Sequence, residues 1–172
     1  MSATVCHVSV AANLSPEKNI MAALGEMGRE MKITGLSPFY RTPAIGRPEQ
    51  PDYLNGVVRA EYDGDARNLK YRVLRGIEEK LGRVRSADKY AARPVDLDIL
   101  LFGNMVVREA GLSVPDDDLL KRPFLWAALL ALDPEIVIPG LGALAGLVNL
   151  DEAVLLRRDE EFRGKLRERF GL

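Results

Sequence analysis

The sequence contains one cysteine and one histidine, and these two scarcities exclude more chemistry than most motifs could establish. Cys6 has no partner for an internal disulfide, which points to a reducing, cytoplasmic setting. With His7 alone, a histidine-based zinc site or a Ser-His-Asp triad has little support. Both residues lie in a short β-branched stretch and read as packing residues. There is no Gly-rich loop ending in Lys-Ser/Thr and no GxGxxG, so the common nucleotide motifs are absent. A basic surplus is missing too: 24 Lys and Arg face 25 Asp and Glu, which argues against nucleic acid as a partner. No apolar run reaches the roughly 20 residues of a membrane span. Phe124–Leu132 and Ile136–Leu150 are broken by Asp133, Pro134, Glu135 and glycines. No basic-then-apolar leader opens the chain, and no repeat or low-complexity tract interrupts it. The expectation is one soluble cytoplasmic domain of 172 residues, monomeric or weakly self-associating, with a core of its own.

Periodicity then orders the elements. Thr4–Val10 reads as a strand, and Ser15-Pro16-Glu17 as a capped helix start. Ile20, Leu24, Met27 and Met31 give that helix one apolar face. Lys32–Tyr40 reads as a second strand, followed by the proline-rich loop 41–52. Tyr53–Tyr62 reads as a third strand, with Tyr53, Asn55, Val57 and Arg59 on one face. Leu69, Val73, Ile77 and Leu81 mark a second helix closed by Gly82. A basic segment leads into the strand RPVDLDILLF (93–102). Phe102–Met105 looks like a tight hairpin turn into Met105–Arg108, and a helix follows over Pro123–Leu132. The order predicts an α+β, ferredoxin-like β-α-β-β-α-β sandwich with an added hairpin and C-terminal helices. From Asp151 onward the charged tail reads as a terminal helix, packed through Leu155, Phe162 and Leu166. Residues 1–148 form the core and 149–172 the extension.

Asp96 and Asp98 are the anomaly in this pattern. Residues two apart in a strand share a face, so both carboxylates point one way and Val95, Leu97 and Ile99 the other. Two adjacent negative charges in an apolar strand require cations, either arginines or a hard metal ion. Taken alone, the pair reads more readily as an ordinary polar strand face with surface ion pairs than as a metal site. Arg83, Arg85, Lys89 and Arg93 just upstream, with Lys121 and Arg122 later, move the balance towards phosphoryl chemistry, where cations grip phosphate oxygens.

Four segments, SPFYRTPAIGRPEQPDYLNGVV, IEEKLGRVR, RPVDLDILLFG and VPDDDLLKRPFLWAALLALDPE, resemble the 6-hydroxymethyl-7,8-dihydropterin pyrophosphokinase family. The resemblance runs from about Val5 to Val148. It implies transfer of pyrophosphate from ATP to a pterin alcohol, giving AMP in folate biosynthesis, by in-line attack on the β-phosphorus. Asp96 and Asp98 match two aspartates that hold a pair of Mg²⁺ ions. Arg83 and Arg93 match basic residues around the triphosphate and count with the two aspartates as catalytic. Tyr53 and Phe124 match rings that sandwich the pterin, Asn55 an amide on its polar edge, and Thr42, Pro43 and Ile45 loop residues beside it. Glu78, Arg85, Tyr90, Ile99, Asp116 and Arg122 fall to the nucleotide.

The departures from the family gather on the nucleotide side. Ala11-Ala12 stand for a glycine-serine pair, Asp116 for a phosphate-contacting histidine, and Arg75 for a glutamine at the adenine. Tyr90 replaces a tryptophan, and Ala91-Ala92 a glycine-proline. They leave open a divergent paralogue, one that binds a pterin or nucleotide with weak or altered turnover. Against an RNA-binding domain of the same fold, the chain lacks the aromatic strand signature and a basic sheet face.

Overall fold

The computed structural model describes residues 2–172. Strand β1 (Thr4–Ala12) alternates between two dry environments. Cys6, Val8, Val10 and Ala12 enter the main core, while His7 lies on the opposite face. It is the central strand, paired antiparallel with β4 (Tyr53–Tyr62) on one side and β5 (Asp96–Phe102) on the other. β2 (Lys32–Leu36) and β3 (Tyr40–Thr42) both pair with β4, so the sheet runs β5-β1-β4 and then β2 and β3. With α1 (Pro16–Glu30) after β1 and a helical segment before β5, this is the ferredoxin-like arrangement.

Lys32–Tyr40 is not one strand. Pro38 has no N–H for the ladder, and the chain leaves the sheet there so that Phe39 can enter the core. Ser37 bridges the gap: its hydroxyl accepts from the Val57 N–H at 2.8 Å and its own N–H donates to the Val57 carbonyl at 3.0 Å. The Phe39 ring packs edge-on against Phe162, centroids 5.4 Å apart, and lies flat over Gly56. A Cβ at position 56 would come within 2.6 Å of that ring. Gly56→Ala is therefore expected to cost about 2 kcal/mol and lower the Tm by ~6 °C, measured by calorimetry.

Ser15 precedes α1 in the left-handed region at φ 39° and makes no side-chain cap. The chain is instead pinned by the Asn13 and Leu14 N–H groups, each donating to the Arg93 carbonyl at 3.3 Å. The second helical segment starts as α2 (Ala66–Asn68), widens into a π-helical stretch (Leu69–Leu74) and resumes as α3 (Arg75–Lys80). The wide turn buries Leu74 and Glu78 beside Leu69, Val73 and Ile77. These helices and α1 cover one face of the sheet. The other face is covered by α4 (Pro123–Leu132), whose Trp126 and Leu129 pack with Tyr40, Val57, Leu100 and Leu101. A bulge between His7 and Val8 lets Leu100 and Leu101 reach this second core together, while Ile99 and Phe102 enter the first.

The turn at Phe102–Met105 forms, with the Met105 N–H donating to Phe102 at 3.1 Å, but the strand after it does not return along β5. β6 (Val107–Glu109) pairs with β7 (Leu112–Val114) in a separate ribbon, because Leu112 and Val114 have core to enter whereas Met105 and Val106 stay exposed. The tail also departs from expectation. After the small β8–β9 pair (Val137–Ile138, Gly142–Ala143), residues 150–155 form a 3₁₀ turn and Leu155 is 88% exposed. The short β10 (Arg157–Arg158) pairs with β3, and the helix, α5, covers only Glu160–Phe170. Asp159 caps it by accepting from the Phe162 N–H at 2.9 Å. Phe162 and Leu166 then pack into the main core. Among the described residues no helix is long and apolar enough to cross a membrane.

Candidate active site

A cleft of about 590 Å³ opens over the β1, β3, β4 and β5 strands and is roofed by the loops 43–52 and 83–95. It brings together Thr42, Pro43, Ile45, Tyr53, Asn55, Glu78, Arg83, Arg85, Tyr90, Arg93, Asp96, Asp98, Asp116, Arg122 and Phe124. Ile99 is the exception. It has the opposite parity to the two aspartates, and its side chain is buried in the core, outside the cleft.

The cations around the acid pair are arginines and one lysine. Asp96 accepts from Arg83 Nη1 at 2.5 Å and from Arg93 Nη1 at 2.7 Å. Asp98 takes Lys70 Nζ at 3.0 Å. Arg83 also donates to Glu78 at 2.5 Å, and Arg85 reaches the other Glu78 oxygen at 2.9 Å. Glu78 is 2% exposed and anchors its carboxylate on the Leu97 N–H at 2.8 Å. Burial pushes its carboxyl above the usual range, against the pull of that N–H and of Arg83. Burial alone would weaken the charge on Arg83, but Asp96 and Glu78 outweigh it and hold the guanidinium more firmly charged.

The same cleft also carries aromatic rings and a side-chain amide. Tyr53 and Phe124 line it from β4 and α4. Asn55 is buried, with its amide nitrogen donating to the Thr42 hydroxyl at 2.8 Å and the Tyr40 carbonyl at 3.2 Å. The amide oxygen is what Asn55 can offer a ligand. The two roof loops touch each other: Arg47 pairs with Asp88 at 2.8 Å, Gln50 donates to the Tyr90 carbonyl at 3.0 Å, and the Tyr90 ring lies over Gly46.

Asp116 lines the same cleft and, among the described residues, has no cation paired to it. Arg122 pairs with Asp118 at 2.9 Å and Lys121 with the same residue at 3.7 Å, so neither screens Asp116. Its carboxylate accepts from the Asp118 N–H at 2.8 Å. Burial, with repulsion from Asp98, Asp118 and Asp117, raises its carboxyl from the ordinary 3.8 to about 6. The folded protein thus binds more protons than the unfolded chain across that interval, and stability falls as pH rises through it. Asp116→Asn is expected to raise the Tm by a few degrees near neutral pH. The gain should vanish below about pH 4, where both states hold the proton; melting curves across the range check this.

Cys6 and His7 take no part. Burial pushes the Cys6 thiol up to about 12, which keeps it an unreactive core residue. Burial, then Arg59, lowers His7 to about 4, and its Nε2 is buried without a partner.

Lys70 is the cleft residue that sequence reasoning missed. A signal existed: Lys70, Val73, Ile77 and Leu81 share helical spacing, so a lysine interrupts an apolar stripe. Gln50, Ala44 and Leu125 also line the cleft, without any motif to announce them.

As a metal site the acid pair fits magnesium, which takes one or two carboxylates and completes its shell with water and phosphate oxygens. No cluster of three or more His, Cys, Asp or Glu ligands occurs among the described residues, so a metal cage built by the protein alone is not what the pair provides.

Comparison with known proteins gives the same direction. Residues 7–134 match the family model described as 7,8-dihydro-6-hydroxymethylpterin-pyrophosphokinase. A 2-amino-4-hydroxy-6-hydroxymethyldihydropteridine pyrophosphokinase of Synechocystis is 32% identical over 143 residues, 80% of this chain and 72% of that protein. Its namesake from Haemophilus influenzae is 30% identical over 146 residues, 83% of this chain and 90% of the relative. Among solved structures, wild-type HPPK-DHPS of Plasmodium falciparum superposes with a TM-score of 0.68 at 11% identity, over 100% of this chain. The likeness is one of fold, and this chain spans about half of that longer one, 47%.

Proposed function

The chain belongs to the 7,8-dihydro-6-hydroxymethylpterin-pyrophosphokinase family, and from that premise we propose that its cleft transfers the pyrophosphoryl group of ATP to the hydroxymethyl group of 6-hydroxymethyl-7,8-dihydropterin in folate biosynthesis. The observation that carries this reading is the lining of one cleft. Asp96, held by Arg83 and Arg93, and Asp98, held by Lys70, share that cleft with the rings of Tyr53 and Phe124 and the amide of Asn55.

In this reading Tyr53 and Phe124 stack on the flat pterin, and the Asn55 amide reads its polar edge beside Thr42, Pro43 and Ile45. Arg83, Arg85, Arg93 and Arg122 bind triphosphate oxygens, and Glu78 fixes the directions of Arg83 and Arg85. Asp96 and Asp98 would hold magnesium. Two such ions, when bound, offset the charge on the phosphate oxygens. The substrate's hydroxymethyl oxygen bonds to the β-phosphorus as the bond from that phosphorus to the α-phosphate oxygen breaks; AMP leaves, and the hydroxyl proton passes to solvent water. Positioning and charge neutralisation carry the rate, without a strong protein base.

A second reading, a divergent relative that binds a pterin or nucleotide with weak or altered turnover, draws on Asp116, a cleft carboxylate with no paired cation among the described residues. One assay separates the two: AMP release from ATP with 6-hydroxymethyl-7,8-dihydropterin and Mg²⁺. Steady turnover that needs both substrates upholds the pyrophosphokinase. Pterin binding with no AMP release rejects it for the second reading.

A further inference from the structure

Each of the two central aspartates has its own internal counter-ion, and the two are held differently. The arginines on Asp96 have second anchors: Arg83 on Glu78 at 2.5 Å, and Arg93 on the Lys89 carbonyl at 2.7 Å. Lys70 has none of this support. Among the described residues, Asp98 is its one ion-pair partner. Its side chain is 19% exposed against 44% for Asp98, so a largely covered stem delivers the ammonium to the rim of a more open carboxylate.

The π-helical stretch Leu69–Leu74 is what puts it there. Such wide turns change which side chains face inward and recur at functional sites. Here Leu69, Val73 and Leu74 fill the core, and Lys70 lines the cleft. A lysine is also a flexible point charge, able to swing between acceptors a few ångströms apart as an anchored guanidinium cannot.

The surroundings explain why a mobile cation belongs at this spot. Asp98, Asp116 and Asp118 all line this part of the cleft, and Arg122 is paired with Asp118. Without Lys70, Asp98 would face the other two carboxylates unpaired and would attract any divalent ion in solution. A divalent ion that arrives carrying nucleotide phosphates brings ligands of its own and can displace a single ammonium.

We infer that Lys70 is a displaceable counter-ion. It occupies the cation position at Asp98 in the nucleotide-free protein, gives it up to the divalent ion that enters with the nucleotide, and then turns its ammonium to a phosphate oxygen. This rests on the polyphosphate reading of the cleft. It makes Lys70 a positioning residue that couples metal binding to nucleotide binding.

The test uses the full chain, with Mn²⁺ as probe and the free ion read by electron paramagnetic resonance. Without nucleotide, Lys70→Met is expected to bind Mn²⁺ roughly threefold to tenfold more tightly than the wild type, the range for one partly exposed ion pair. Lys70→Arg should stay near wild type. With Mg²⁺ and α,β-methylene ATP, which cannot transfer its pyrophosphate, calorimetry should show about tenfold weaker nucleotide binding for Lys70→Met. Unchanged Mn²⁺ affinity in a Lys70→Met protein that melts like wild type overturns the counter-ion role. Tighter Mn²⁺ with unchanged nucleotide affinity overturns the phosphate contact. If the wild type retains no Mn²⁺ even with the nucleotide analogue present, the polyphosphate reading itself fails, whatever Lys70 does.

Discussion

Replacing Asp98 with asparagine is expected to lower AMP release by about 10³-fold or more while moving the Tm by no more than ~3 °C. Both halves follow from where the carboxylate stands. Asp98 is 44% exposed, and its ion pair among the described residues is the one with Lys70, so folding loses on the order of 1 kcal/mol or less. Asparagine keeps the shape and the ability to accept from the Ile99 N–H, which Asp98 Oδ1 meets at 3.0 Å. The lost negative charge is what a divalent ion needs, and neutralising phosphate charge is where the rate comes from. Asp96 makes a less discriminating target. Its removal would also leave Arg83 and Arg93 facing each other without their shared acid. Activity that survives in Asp98→Asn to within tenfold of wild type would show that Asp98 holds no essential metal.

The second large effect belongs to Glu78, and it falls first on stability. Glu78→Ala is expected to cost about 3–5 kcal/mol, a Tm loss on the order of 10 °C. At 2% exposure it is the buried hub of the site, and one oxygen serves both the Leu97 N–H and Arg83. Alanine would strand that N–H within the sheet layer and leave Arg83, itself largely covered, with Asp96 alone. Glu78→Gln retains an acceptor for Leu97 but gives up the charge, so about half the loss is expected. In the protein that still folds, the KM for ATP should rise more than kcat falls, because Arg83 and Arg85 lose their common anchor rather than their chemistry. A Glu78→Ala protein melting within 3 °C of wild type, a loss of roughly 1 kcal/mol, would mean that water replaces the carboxylate and the hub is no hub.

Elements governed by local rules were legible in the chain. α4 starts at Pro123 and ends at Leu132, within the residues that a proline at the first turn and an apolar run up to Asp133 mark out. The period of two placed Asp96 and Asp98 on one face of β5 and sent Ile99 the other way, which is why its side chain lies in the core. The tail was harder. Asp159 and Gly171 bracket α5 with ordinary cap chemistry, yet the charge run beginning at Asp151 hid the cap. Lys32–Tyr40 shows the limit from the other side, since the pull of Phe39 into the core outweighed continuity of the ladder.

The sequence by itself determined the order of the main strands and helices, the fold class, and the presence of a carboxylate pair among basic residues, because those depend on periodicity, cap residues and a short motif. Only the tertiary structure decided which cation meets which acid. Arg83 and Arg93 share Asp96, Lys70 takes Asp98, Arg122 turns to Asp118, and Asp116 is left with a backbone N–H. Those pairings depend on distances between elements far apart in the chain. They are set by the π-helical turn, the bulge in the central strands and the packing of two cores against one sheet, and a charge in a sequence carries no record of which neighbour packing will bring within 3 Å.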